Sequence, residues 1–262
     1  MAKINVLLTG ASGGIGAAIF KKLATKGLYV LGIARRSEQL EKLKQDIRVE
    51  GGKVDVFRAD LSCKEERLHL EQFVRNQIGV PDVVINNAGF GWYGYHAKIL
   101  HRVAEEMLAV NVQAAVHLSF MFLAEMVSRG SGHLIQMGSI AGDIPSQGIG
   151  LYAGTKSFLS AFNTGMHREL RGSGVHASII KPGPVKTAFF DNSKALENGE
   201  PVPSERFAVL PNEVANAVYS VILHPRRVVY VPTILAAVPW VEMTFAWLMD
   251  RIGPLLLRRK KP

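Results

Sequence analysis

Short apolar runs recur along the chain at 4–8, 29–33, 54–57, 83–85, 134–137, 175–180 and 228–231. They are runs rather than alternations of apolar and polar residues, so both faces of each must be covered. That pattern predicts strands inside a parallel sheet. Between them, apolar residues fall at spacings of three and four near 14–26, 37–50, 64–78, 97–128, 151–171 and 211–223, which predicts helices. Strand and helix alternating at this length predict an α/β fold: a doubly wound parallel sheet of about seven strands in a single domain. No internal repeat or low-complexity segment interrupts it.

Three stretches break the rhythm, and each follows a predicted strand. Residues 90–96 are rich in glycine and aromatics, 143–150 contain Pro145, Gly148 and Gly150, and 188–210 contain Pro201 and Pro203 and read as a mobile loop. In open α/β sheets the site lies beyond the carboxyl ends of the strands, so these stretches are its candidate walls.

The first strand runs directly into Gly10, Ser12, Gly13, Gly14, Ile15 and Gly16, and a helix follows. Glycines at such a junction permit a tight turn and let backbone N–H groups approach a pyrophosphate at the helix N-terminus. The spacing is Gly-x-x-x-Gly-x-Gly, and by itself it also fits a plain strand-to-helix turn. A Rossmann-like dinucleotide site that takes NAD carries a carboxylate after the second strand to hold the ribose 2′-hydroxyl. Here that place holds Arg35 and Arg36 instead. Two cations suit a 2′-phosphate, since charge-assisted hydrogen bonds contribute about 1.5–3 kcal/mol each. The pattern predicts NADP(H) as cofactor, against the alternative of two solvated arginines opening a helix.

Tyr152 and Lys156 stand four apart in a helical segment, so their heads share a face. An ammonium beside a phenol favours phenolate and is expected to bring the Tyr152 pKa down towards neutrality, where the group transfers protons well. Ser139, after the fifth predicted strand, offers a hydrogen bond to a substrate oxygen. The wall residues Phe90, Trp92, Tyr93, Tyr95, Ile144, Ile149, Leu151, Phe189 and Phe190 suit a small apolar carbonyl compound or its alcohol, with about half of them expected to pack into the body.

These motifs occur in a particular order: Thr9-Gly10-x-x-x-Gly14-x-Gly16, Asp60-Leu61, Asn86-Asn87-Ala88-Gly89, Asn111, Ser139, Tyr152-x-x-x-Lys156 and Pro182-Gly183-Pro184-Val185-Lys186-Thr187. In that order they resemble the short-chain dehydrogenase/reductase superfamily from residue 1 to about residue 232. The resemblance implies an NADP(H)-dependent oxidoreductase that interconverts a ketone or aldehyde and an alcohol. It makes Tyr152 the general acid in reduction, has Lys156 tune Tyr152 and hold the nicotinamide ribose, and has Ser139 orient the carbonyl. It implies that Asn111 holds a water in a proton relay behind Lys156. Asp60 and Leu61 would meet the adenine, Asn87, Ala88 and Gly89 would line the cofactor groove, and Pro182, Gly183, Val185 and Thr187 would stand at the nicotinamide. Family likeness also favours a homodimer or homotetramer built on the helices near 97–128 and 151–171. Two rivals remain: a catalytically idle NADP(H) sensor or scaffold, and a nucleotide-sugar epimerase, which would need a larger C-terminal substrate domain than 262 residues provide.

Charge and composition narrow the partners. Lys and Arg number 31 against 22 for Asp and Glu, a net charge of +9. No basic stripe is interleaved with aromatics, so nucleic acid is not expected. The single cysteine, Cys63, permits neither an internal disulfide nor a cysteine zinc cluster, and the eight histidines lack ligand spacing, so no metal is expected. The first residues do not form a secretory signal. A cytoplasmic protein is expected, either free or associated with a membrane.

The catalytic domain is expected to span 1–232, with its substrate loop at 188–210, and to be followed by an apolar helix and basic tail at 233–262. Ile234, Val238, Val241, Phe245, Leu248 and Ile252 form one helix stripe, and Trp240, Met243 and Trp247 form a second. As a helix, the apolar stretch 232–249 would reach about 27 Å, short of the roughly 30 Å of a hydrocarbon core. Pro239 and Glu242 also argue against a span. The reading adopted packs the first stripe on the body and offers the second to a membrane surface or a second subunit, with Arg258, Arg259, Lys260 and Lys261 attracted to an anionic leaflet. The alternative is a helix that completes the core.

Overall fold

The computed structural model describes residues 4–200 and 208–252 of the chain. Seven parallel strands form one sheet in the order β3-β2-β1-β4-β5-β6-β7. They are β1 (Asn5–Thr9), β2 (Tyr29–Ala34), β3 (Val54–Arg58), β4 (Val83–Asn86), β5 (Gly132–Met137), β6 (Val175–Pro182) and β7 (Val228–Val231). Each expected run is a strand, displaced by two residues at most. The doubly wound α/β sheet is therefore present as read.

Helices cover both faces, which is why the strands are apolar on both sides. Val6 and Leu8 of β1 join one core layer with Ile19, Phe20 and Leu23 of α1 (Gly14–Thr25), Leu40 and Ile47 of α2 (Ser37–Val49), and Val214 and Val218 of α8 (Pro211–Leu223). Leu7, between them in sequence, joins the opposite layer. There it meets Leu70 and Val74 of α3 (Lys64–Ile78), Leu118 and Phe122 of α5 (Ala115–Arg129) and Met166 of α6 (Gly150–Glu169). Full burial of each such aliphatic side chain contributes roughly 1.5–3 kcal/mol. The strand order reverses between β1 and β4, and a crevice opens there at the carboxyl ends.

Three expectations change. The helix expected over 97–128 runs continuously from His101 to Arg129 but changes pitch on the way. After a 3-10 turn at His96–Lys98, α4 (His101–Leu108) passes through a π-helical turn, Ala109–Ala114, into α5. The 188–210 stretch holds an ordered helix, α7 (Phe189–Ala195), and Val209 bridges back to Val185; Pro201 and Pro203 lie outside the described residues. The tail forms a 3-10 turn, Thr233–Ala237, and α9 (Val238–Ile252), which is broken by non-helical backbone at Phe245 (φ −121°, ψ 20°).

The stripe expected to pack on the body is largely uncovered: Ile234 is 78% exposed and Phe245 47%, while Val238 is half-buried. Trp240, Met243 and Trp247 are also exposed. Periodicity identified residues sharing a face, but it carries no information on what covers that face. Among the described residues, only His101–Arg129 is long and apolar enough to cross a membrane. Leu118, Phe122 and Met126 bury one side of that helix in the core. Arg258, Arg259, Lys260 and Lys261 lie outside the described residues.

Candidate active site

The carboxyl ends of the strands open onto a cleft of about 490 Å³. Its floor is made by the turn between β1 and α1, where Gly10, Ser12, Gly13, Gly14, Ile15 and Gly16 line it. Gly10 turns the chain at φ +68°. A side chain on Gly16 would run into the Gly10 carbonyl, so the helix can approach the strand this closely only with glycine there. Neighbouring polar groups fix the turn. The Asn87 amide donates to the Thr9 carbonyl at 2.9 Å, while the Thr9 hydroxyl accepts from the N–H groups of Asn87 and Ala88 at 3.0 Å. No acidic side chain stands in the first turn of α1, which leaves its N–H groups and the positive end of the helix dipole for an anion.

The two arginines after β2 are placed differently. The Arg35 guanidinium is held by Glu106 at 2.6 Å and lies 3.8 Å from Asp60. Arg36 has no carboxylate partner among the described residues, and its guanidinium reaches over Gly13, where an added methyl group would sit 3.0 Å from Nη2. Both arginines line the cleft with Asp60 and Leu61. Burial raises the Asp60 pKa, but two hydrogen bonds from Ser62 and the charges of Arg35 and Arg58 outweigh it and hold the carboxyl below its usual value. An unpaired guanidinium beside a carboxylate-free helix start fits a phosphorylated dinucleotide.

At the other end, α6 presents Tyr152 and Lys156, while Ser139 leaves the end of β5. The Ser139 side chain lines the cleft beside Tyr152, whose pKa it lowers slightly, and accepts from the Ala141 N–H at 3.1 Å. Lys156 donates to the Met137 carbonyl at 2.9 Å, with Nζ 5.6 Å from the centre of the Tyr152 ring. Desolvation pushes the Tyr152 phenol up to about 12, against a smaller lowering by Ser139. Desolvation likewise brings Lys156 down to about 8. The expectation that the ammonium draws the phenol towards neutrality is therefore corrected for the protein alone, where burial dominates.

Asn111 lies in the π-helical turn and does not line the cleft. It is 1% exposed. Its Oδ1 accepts from the Phe90 N–H at 3.0 Å, and its Nδ2 donates to the Phe90 carbonyl at 2.9 Å and to Thr155 Oγ1 at 3.1 Å. It thereby ties the β4 loop to α6, and a Cβ on Gly89 would crowd Asn111 Oδ1 at 2.9 Å. Asn87, Ala88 and Gly89 line the cleft, as do Pro182, Gly183, Val185 and Thr187 after β6. Thr187 lies across Gly14: a methyl group there would meet Thr187 Cγ2 at 3.2 Å.

Among the aromatic and apolar walls, Phe90, Ile149 and Phe189 line the cleft, and the Phe189 ring lies 5.5 Å from that of Tyr152. Trp92 and Tyr93 are buried in the body. Tyr95, Ile144 and Leu151 are half-buried and off the cleft, and the side chain of Phe190 lies outside the described set. Sequence reasoning missed Ala34, Ala59, Val110, Met137 and Ala188, which also line the cleft. Most are small apolar residues, and their only signal is proximity to a strand end.

It also missed a buried cluster behind the Ser139 loop. Lys181 of β6 pairs with Asp143 at 2.6 Å, and the Tyr230 hydroxyl of β7 donates to the other Asp143 oxygen at 3.1 Å. Burial, with the Asp143 carboxylate next, pushes the Tyr230 phenol up to about 12. Among the described residues no group of His, Cys, Asp and Glu is arranged to hold a metal.

The profile of the short chain dehydrogenase family matches residues 4–198. An uncharacterized oxidoreductase of Escherichia coli K12, YbbO, is 30% identical over 253 residues, covering 94% of this chain and 90% of its own. A short-chain dehydrogenase from Sphingobium yanoikuyae, solved in complex with NADPH, superposes with a TM-score of 0.81 at 25% identity and covers 99% of this chain and 98% of its own. A metagenomic short-chain oxidoreductase solved with NADP superposes with a TM-score of 0.73 at 28% identity, covering 87% and 94%.

Proposed function

Because the chain belongs to the short-chain dehydrogenase/reductase family and is thus an oxidoreductase acting on CH–OH groups, we propose that it uses NADP(H) to interconvert a small apolar ketone or aldehyde and its alcohol. One observation carries the chemistry: Ser139, Tyr152 and Lys156 line a single cleft, Tyr152 and Lys156 on the same helix, with the glycine turn below. Arg36 supports the choice of cofactor, and Phe90, Ile149 and Phe189 support an apolar substrate.

The dinucleotide's adenosine phosphate would be held by Arg36, its pyrophosphate by the first turn of α1, and its nicotinamide end by Lys156, Val185 and Thr187. Bound there, the cofactor supplies the hydride. Ser139 holds the substrate oxygen in place, and the Tyr152 hydroxyl delivers the proton in reduction or withdraws it in oxidation. With its phenol pushed up to about 12, Tyr152 enters neutral solution protonated, as reduction requires. Lys156 keeps a cation under the nicotinamide ribose, and Asn111 fixes the β4 loop beside it. The outward faces of α5 and α6, where Phe120 and Phe158 are exposed, would form a homodimer or homotetramer interface in the cytoplasm.

The test is NADPH oxidation against a panel of apolar ketones and aldehydes, with Tyr152→Phe as control. Turnover lost by Tyr152→Phe while NADPH binding persists is the expected result. A variant as active as the parent overturns the assignment of Tyr152. NADPH binding without turnover on any carbonyl favours a sensor instead.

A further inference from the structure

The end of the cleft that would take the adenosine phosphate carries charges of both signs. Arg35 and Arg36 follow β2, and Asp60 follows β3. Arg58, the last residue of β3, is already paired with Glu66 at 3.0 Å. Glu106 comes from a separate element, α4, 71 residues along the chain from Arg35. It stands four residues before Val110 in one continuous helix, and Val110 lines the cleft. That spacing puts Glu106 on the same helix face, at the rim of the cleft. Its Oε1 accepts from Arg35 Nη1 at 2.6 Å, whereas Asp60 Oδ2 lies 3.8 Å from the same nitrogen. Two carboxylates therefore bear on Arg35, and none among the described residues bears on Arg36. We propose that Glu106 is a specificity-determining residue for the dinucleotide: by engaging Arg35 it withholds one of two guanidinium groups from a 2′-phosphate, and so narrows the preference for NADP(H) over NAD(H). The proposal rests on the cofactor reading above and deepens it.

The chemistry of the two ligands sets the sign. A phosphate monoester carries nearly two negative charges at neutral pH and recruits guanidinium donors. To serve it, Arg35 must leave Glu106 or divide its donors between two anions. The Arg35 and Glu106 side chains are 51% and 38% exposed, so the pair opens to water at small cost, and the effect on binding is correspondingly modest. Once released, the Glu106 carboxylate stands as a like charge near the incoming phosphate. An unphosphorylated ribose makes no such demand, and sites that take it place a carboxylate at this end. Here α4 supplies the carboxylate that the segment after β2 lacks. Asp60 is the weaker candidate for this role, because its Oδ1 is already engaged by the Ser62 N–H and hydroxyl at 2.9 and 2.7 Å.

Dissociation constants of the full chain for NADPH and NADH would be measured by titration calorimetry, without any carbonyl substrate and at one fixed ionic strength. Glu106→Gln removes the charge and keeps the shape, and Glu106→Ala removes the acceptor as well. Each should tighten NADPH about fivefold and leave NADH within about twofold of the parent. In an Arg35→Met background the same substitutions should change NADPH affinity by less than about twofold, because the partner through which Glu106 acts is gone. The inference is overturned if the Glu106 variants bind NADPH as the parent does. It is also overturned if they bind it more weakly, since the carboxylate would then be aiming Arg35 at the phosphate. Equal tightening of NADH, or a gain that persists in full without Arg35, overturns it as well. A parent that binds NADH and not NADPH overturns the choice of cofactor and this inference together. Absence of turnover on every carbonyl counts against the proposed reaction alone, because these constants are read without it.

Discussion

Lys156 sits where an ammonium is costly. Burial holds its pKa near 8, against 10.5 in water. A lysine depressed in the fold destabilises the native state below its folded pKa. Between about pH 8 and 10.5 the folded chain has lost that proton while the unfolded chain still binds it, so stability rises with pH across that window. Lys156→Met removes the buried charge. It should gain roughly 2 kcal/mol at pH 7 and little near pH 10, read from urea denaturation at both values, while losing turnover. Equal stability of parent and variant at pH 7 would contradict this account. The two arginines can also be separated. Arg36→Asp should shift the preference between NADPH and NADH by about tenfold or more. Arg35→Asp should shift it less, because Glu106 already holds Arg35 at 2.6 Å. Binding of both dinucleotides to each variant checks the order. From sequence, Arg35 and Arg36 were indistinguishable; the Glu106 carboxylate on Arg35 and the reach of Arg36 over Gly13 tell them apart.

Between elements, the least expected device is the cluster that fastens the Ser139 loop. Asp143 leaves that loop and is gripped by Lys181 and Tyr230 from two neighbouring strands, with the Lys181 and Asp143 side chains only 6% and 13% exposed. Asp143→Asn strands a buried ammonium and should cost roughly 3 kcal/mol in denaturant titration. Because the loop carries Ser139, kcat should fall more than cofactor affinity. Nothing in the spacing of residues 143, 181 and 230 announced this contact, since long-range pairing of polar groups leaves no periodic trace. The strands were legible for the opposite reason: burial on two faces forces a continuous apolar run such as 83–85. The cleft residues were legible through the motif order, which brings Gly10, Asn87, Ser139, Tyr152 and Thr187 to one end of the sheet. The π-helical turn at Asn111 and the break at Phe245 were not, because a local change of helical pitch hardly disturbs an apolar pattern.

At the scale of the molecule, the chain divides by burial into a double-layered core and an appended tail. The sheet and its helices fill two apolar layers, whereas α9 leaves most of its large side chains in water. A chain ending at Ala237 should therefore keep Leu235 against Gly183 and unfold cooperatively, with stability within about 1 kcal/mol of the parent. Chemical denaturation followed by circular dichroism measures it, and a loss of several kcal/mol would show that α9 belongs to the core. Charge is also spread unevenly: Arg258, Arg259, Lys260 and Lys261 supply four cations of a chain whose net charge is +9, so cutting at residue 237 lowers basicity as well as apolar exposure.

The sheet order carries a further consequence, for biosynthesis. β1 lies between β2 and β4, so its second edge waits for residues 83–86. A ribosome adding about 5–20 residues per second leaves roughly 3–10 s between the emergence of β2 and that of β4. During that interval the nascent chain offers an unpaired strand edge made of Val6, Leu7 and Leu8, a template for pairing with other chains. Chaperone demand should therefore fall on the first third of the polypeptide.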